Sequence, residues 1–127
     1  MGWSVDYLPD HRLVRITSEG ALGREQLRQL TRDAIAAGRV HGTARFLVDH
    51  RRMLPNLGAA DIFDMPQRVQ DLGFGADFRI AMVASPDSAR RADFEFYAIQ
   101  CGNLGLHFLR LFFDYDAALD WVSRGPG

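Results

Sequence analysis

The chain has 127 residues, 47% apolar and 24% charged, with a formal net charge of −1. That length fits one domain rather than two, and the mix excludes a disordered, collagenous or coiled-coil chain. The sequence holds no uninterrupted run of ~18 apolar residues of the kind that crosses a bilayer, and near-neutral charge gives no pull toward nucleic acid or an anionic membrane.

Residues 3–8 predict a strand with Trp3, Val5 and Tyr7 on one face. Pro9-Asp10 is a turn pair, and residues 12–17 form the returning strand, giving an antiparallel hairpin that Glu19-Gly20 breaks. Residues 23–37 predict a helix, with Leu27, Leu30, Ala34 and Ile35 inward and Arg24, Arg28 and Arg32 outward. Gly38 and Gly42 bracket its end. Arg45-Phe46-Leu47-Val48-Asp49 predicts a buried parallel strand, followed by a loop over residues 50–57. The second helix is expected over residues 58–72, with Ile62, Met65, Val69 and Leu72 inward. Pro66 inside it predicts a kink or two short helices, because proline removes a backbone hydrogen bond and crowds the preceding turn. Gly73-Phe74-Gly75 stops that helix.

Residues 78–84 predict the next strand. Ser85-Pro86-Asp87-Ser88 carries a cap, a first-turn proline and an acid, and predicts a helix from there to about Gly102. Phe94, Tyr97, Ala98 and Cys101 share one face of it, flanked by Phe96 and Ile99. Residues 106–112 give the last strand, and Asp114 caps a final helix with Ala118, Trp121 and Val122 inward. Residues 124–127 are expected as a loose tail. The whole chain, 1–127, is expected to form a single domain.

The order is β-β-α-β-α-β-α-β-α. Right-handed crossovers turn it into an α/β fold: a mostly parallel five-stranded sheet with an opening antiparallel hairpin and about four helices. The apolar content covers both faces only where a helix layer packs well, so one sheet face is expected to be partly open.

All fifteen basic residues are Arg and thirteen of the sixteen acids are Asp. The arginines are spread along the chain, which reads as coding bias of a GC-rich bacterial genome. Cys101 is the single cysteine, so no internal disulfide forms, as suits a reducing cytoplasm. The first residues lack the basic patch and apolar run of a signal peptide. Histidines 11, 41, 50 and 107 never fall four apart, and no metal site is expected. Gly73-x-Gly75 follows a helix and lacks a third glycine, which excludes a dinucleotide loop and leaves no cofactor implied. A triad of Ser85 with His50 or His107 and Asp49 lacks a nucleophile elbow, and the reading is not an enzyme.

Together these residues resemble the SpoIIAA-like branch of the STAS superfamily (STAS/SEC14-like domains). The resemblance rests on the opening hairpin with Pro9-Asp10, the strand ending in Asp49, Asp61-Ile62-Phe63 with Met65-Pro66, and the closing helix from Asp114 to Val122. It implies a SpoIIAA-like fold and a non-catalytic regulatory or binding module. In the anti-sigma-factor antagonists of that superfamily, a Ser or Thr just after the Asp-ended strand is phosphorylated. No Ser or Thr occurs from His50 to Leu72 here, so that switch does not carry over.

The module is expected to bind a protein partner or a small apolar or anionic molecule. The rival expectation is a SEC14-like carrier of a hydrophobic or lipid-like ligand, which needs a closed apolar cavity of ~300 Å³ or more. The polar end of a ligand is expected beyond the strand ends, at Asp49, Arg51, Arg52 and Ser85, and the apolar end past Phe63 and Met65 toward Tyr97. The aromatic surplus on the third helix also predicts a homodimer.

Overall fold

A computed structural model describes residues 2–73 and 77–124. β1 (Gly2–Leu8) and β2 (Leu13–Leu22) pair antiparallel, and β3 (Arg45–Pro55), β4 (Arg79–Val83) and β5 (Leu109–Phe112) extend the sheet in parallel, in the order β1-β2-β3-β4-β5. Four helices connect or close them: α1 (Arg24–His41), α2 (Ala59–Leu72), α3 (Arg91–Asn103) and α4 (Tyr115–Ser123). The α/β five-stranded sheet, opening hairpin and four helices match the sequence expectation.

The two faces of the sheet are unequal. Val14, Ile16, Phe46, Val48, Ile80 and Met82 point to the face covered by α1, α2 and α3. Leu13, Leu47, Ala81 and Val83 point the other way and form a smaller core with the buried Ala118 and Val122 of α4, edged by the partly buried Leu8, Phe112, Tyr115, Leu119 and Trp121. Side chains alternate along each strand, so one sequence feeds both cores. On this second face Arg15, Thr17 and Glu19 of β2 stay partly or fully exposed, so the face is open toward β1, as expected.

Several boundaries differ from the sequence reading. α1 runs on to His41 and ends where Gly42 adopts a left-handed conformation, φ 64°. Gly38 is not the stop. It is buried in the helix because a side chain there would meet Phe46 Cζ at 2.6 Å and Thr43 O at 2.9 Å. Across Pro66, α2 continues as a single helix, and the proline ring is buried. Phe74 and Gly75 of the expected helix stop lie outside the described residues. So do residues 125–127 of the expected tail, whereas Arg124 is tied down by Asp120 at 2.6 Å.

Ser85-Pro86-Asp87-Ser88 does not open a helix. It folds into turns in which the Ser88 N–H donates to Ser85 O (3.1 Å) and the Asp87 N–H donates to Ser85 Oγ (3.2 Å). The helix α3 begins only at Arg91. His107, expected in a strand, lies in the turn before β5. Asp114 does cap α4, accepting from the Ala117 N–H at 3.0 Å. Trp121 is half-buried rather than inward. Its ring stacks on Arg79, 3.7 Å from the guanidinium carbon, and tilts against Phe112.

The largest departure is in β3. The expected strand ends at Asp49, with a loop to residue 57, yet pairing continues to Pro55. The β2–β3 register shifts here: Thr17 pairs with Asp49 and Glu19 with Arg52, so one extra β3 residue bulges. A bulge bends the strand and re-aims its side chains. Val48 and His50 face the three-helix layer before the bulge, and Met53 and Pro55 face it after.

Candidate functional site

A cavity of about 90 Å³ lies between the sheet and α1, α2 and α3. Its walls are apolar: Leu27, Leu30 and Ala34 from α1, Ile62, Met65 and Val69 from α2, Phe94 and Tyr97 from α3, and Val48, Met53, Ile80 and Met82 from the sheet. The amphipathic pattern of α1 and α2 delivers these side chains, and the β3 bulge delivers Met53.

Two polar residues stand out in the wall. His50 is 6% exposed. Its Nδ1 hydrogen-bonds the buried Ser18 Oγ, and Ser18 also reaches Asp49 O at 3.3 Å. Burial drives the imidazole pKa down to about 4, with the charge of Asp49 opposing, so His50 is neutral at pH 7. Asp93, in the first turn of α3, also lines the cavity. Its carboxylate pairs with Arg90, whose Nη2 donates to Leu57 O at 3.0 Å. Arg90 thus links the β3–α2 loop to α3 beside two cavity residues, Leu57 and Asp93.

Cys101 is buried next to Tyr97, and burial pushes its thiol up to about 11. The thiolate fraction at neutral pH is then negligible, which leaves Cys101 a packing residue.

The seven residues expected as one site separate. Met65 and Tyr97 line the cavity. Phe63, on the same helix as Met65, is 53% exposed and is not part of the wall. Asp49 and Arg51 point to the opposite face of the sheet, as alternation with His50 requires. There Arg51 clamps Asp49 through Nε (2.9 Å) and Nη2 (2.8 Å), and its guanidinium lies over Tyr115 of α4 at 4.8 Å. Burial pushes the Asp49 carboxyl up, but the hydrogen bonds and charge of Arg51 outweigh it and hold the group below its ordinary 3.8. Arg52 is exposed in a groove with Ser4, Thr17 and Glu19. Ser85 is engaged in its own turn. For Asp49, Arg51 and Arg52 the reason is the continuation of β3 past Asp49: they sit within the strand, not beyond its end.

Sequence reasoning passed over Ser18 and Asp93, and weighed His50 only in a rejected triad and as a neighbour of Asp49, not as a cavity residue. For His50 the signal was present, since Phe46, Val48 and His50 alternate on one face of a strand.

The SpoIIAA-like fold inferred from sequence is found in a solved structure. The chain is similar to an uncharacterized protein of the DUF3478 family from Shewanella loihica PV-4, whose crystal structure has a SpoIIAA-like fold. The likeness has a TM-score of 0.56 at 20% identity and covers 95% of this chain and 92% of that one. No family model matches the sequence. No curated protein matches it either. The chain therefore has the SpoIIAA-like fold, and no helix among the described residues is long and apolar enough to cross a membrane.

Proposed function

We propose that this chain is a non-catalytic binding module of the STAS type, working in the cytoplasm, that holds a small apolar molecule between its sheet and α1, α2 and α3. The cavity carries this reading: an apolar space with a buried neutral histidine in its wall. Binding pockets for small molecules combine apolar walls with a few placed polar groups. A core built only for packing has no need of a histidine whose burial lowers its pKa that far.

Catalysis is not supported by the groups present. Ser18 is 1% exposed and its hydroxyl is committed to Asp49 O and His50 Nδ1. Asp49 faces away from His50, which leaves the imidazole without a carboxylate to orient it as a base.

A SEC14-like carrier is the second reading. At about 90 Å³ the cavity falls short of the ~300 Å³ that a lipid-like cargo needs. One observation favours it nonetheless. A groove of about 300 Å³ lies between α1 and α2, and Leu27, Thr31, Met65 and Val69 line both it and the cavity. Moving α2, which carries Pro66, would merge the two spaces.

Native mass spectrometry of freshly purified protein tests the binding module. The expected spectrum has a population carrying a small non-covalent adduct that organic solvent removes. A bare chain mass under conditions that keep a control carrier loaded counts against the reading.

A further inference from the structure

We propose that the cavity selects a neutral apolar molecule bearing one hydrogen-bond donor, a hydroxyl or N–H, which the free Nε2 of His50 accepts. This rests on the reading of the cavity as a binding site and names the class of ligand.

The hydrogen-bond inventory of His50 carries the inference. Ser18 Oγ touches two acceptor-capable atoms, Asp49 O at 3.3 Å and His50 Nδ1. A serine hydroxyl has one hydrogen. Both contacts are hydrogen bonds only when Ser18 donates to Asp49 O and Nδ1–H donates to Ser18 Oγ. The proton of the neutral imidazole is then on Nδ1, and Nε2 holds a lone pair. Nδ1 is turned toward β2, and Nε2 lies on the far edge of the ring of a residue that lines the cavity. Among the described residues Nε2 has no hydrogen-bond partner, in a side chain that is 6% exposed.

The remaining polar groups agree. Thr31 Oγ1 donates to Leu27 O at 2.8 Å. The Tyr97 hydroxyl is engaged with the Cys101 thiol. The Asp93 carboxylate is a second acceptor, paired with Arg90. The cavity therefore offers acceptors and no uncommitted donor. A carboxylate or phosphate inside it would face a lone pair and a negative charge. This moves the ligand away from the anionic class and leaves a phenol-, alcohol- or aniline-like head on an apolar body. Met53, Met65 and Met82 in the wall provide adjustable volume for that body.

Phenol and toluene have the same shape and differ by a hydroxyl for a methyl, and benzoate adds the anion. Titration of the wild-type chain with each, followed by NMR, separates the cases. The expected order is phenol at least as tight as toluene, with benzoate at least ~10-fold weaker than phenol. His50→Phe keeps a ring and removes the acceptor, and the phenol-to-toluene ratio is expected to move at least ~10-fold toward toluene. Toluene binding more tightly than phenol to the wild type, or a ratio unchanged by His50→Phe, overturns the donor class while leaving the cavity as a binding site. Benzoate binding more tightly than phenol overturns the neutral ligand. Failure of all three to bind removes the binding site itself and the inference with it. Should His50→Phe not fold, the wild-type order of phenol and toluene decides alone.

Discussion

His50 couples the cavity to pH. Its folded pKa of about 4 lies below the 6.5 of an ordinary histidine. Between those values the unfolded chain binds a proton that the folded chain refuses. Stability from the neutral ring is complete above about pH 6.5 and is lost as pH falls toward 4. The full shift corresponds to roughly 3 kcal/mol. Among the titratable groups, Asp93 and Tyr97 of α3 share its cavity, and neither α1 nor α2 places one in the wall. Asp49 acts in a lower window, since its carboxyl is held below 3.8 and its contribution fades only as pH falls through that folded value. Urea midpoints at pH 7 and pH 4.5 check this. The wild type should lose stability over that interval, and His50→Gln should lose much less; equal slopes would place the acid sensitivity elsewhere. On the opposite face, Arg51→Ala removes a half-exposed partner from a nearly buried carboxylate and should cost about 1 kcal/mol. The double variant Arg51→Ala, Arg52→Ala should leave phenol affinity unchanged, because neither guanidinium reaches the cavity. A loss of affinity in calorimetry would return the polar end of the ligand to that face.

At the scale of elements, α1 is locked by contact rather than by propensity. Gly38→Ala improves helix propensity by about 1 kcal/mol. It also drives a methyl into Phe46 and Thr43 O. Overpacking should win, with a net loss of about 1–3 kcal/mol in the denaturant midpoint; a stabilised variant would mean that α1 does not press on β3 there. Dissection of α4 follows the same logic. Val122 is fully buried while Trp121 is half-exposed and stacked on Arg79. Val122→Ala should cost about 2 kcal/mol, and Trp121→Ala should fall below the ~3–5 kcal/mol expected of a core aromatic. Element types were legible because apolar spacing is dictated by the helix and strand repeats themselves. The end of β3 was not, because Arg51 and Arg52 read as a loop. A bulge lets a strand carry two successive arginines on its solvent side, and nothing local in the sequence announces it. The start of α3 was misplaced for a related reason: Ser85 and Asp87 satisfy each other in a turn that carries the same residues as a helix cap. The candidate site suffered most. Half of it was anchored to a strand end that lies elsewhere, whereas Met65 and Tyr97 were found through helical spacing, a longer and more redundant signal.

For the whole molecule, the uneven cover of the sheet organises the account. Three helices enclose the cavity on one face, and α4 alone guards the other. The aromatic surplus expected on α3 is smaller than the sequence suggests, since Phe94 and Tyr97 are buried and Ile99 alone of the group is largely exposed, at 61%. A homodimer remains our proposal on the exposed apolar residues of this side, Ile99, Phe63 and Leu104. Light scattering at micromolar concentration should give twice the chain mass of 14.3 kDa. A monomer mass there rejects the dimer and leaves the cavity reading untouched.

The central claim is that the space under α1, α2 and α3 receives a ligand, and the methionine methyl groups report on it directly. Met53 and Met82 line the cavity from the sheet and Met65 from α2, while Trp121 packs on the opposite face. A methyl-resolved NMR titration with phenol should shift the signals of Met53, Met65 and Met82 in a saturable way and leave the Trp121 indole unmoved. Unshifted methionine methyl signals at saturating phenol, or shifts that centre on Trp121, would contradict the account.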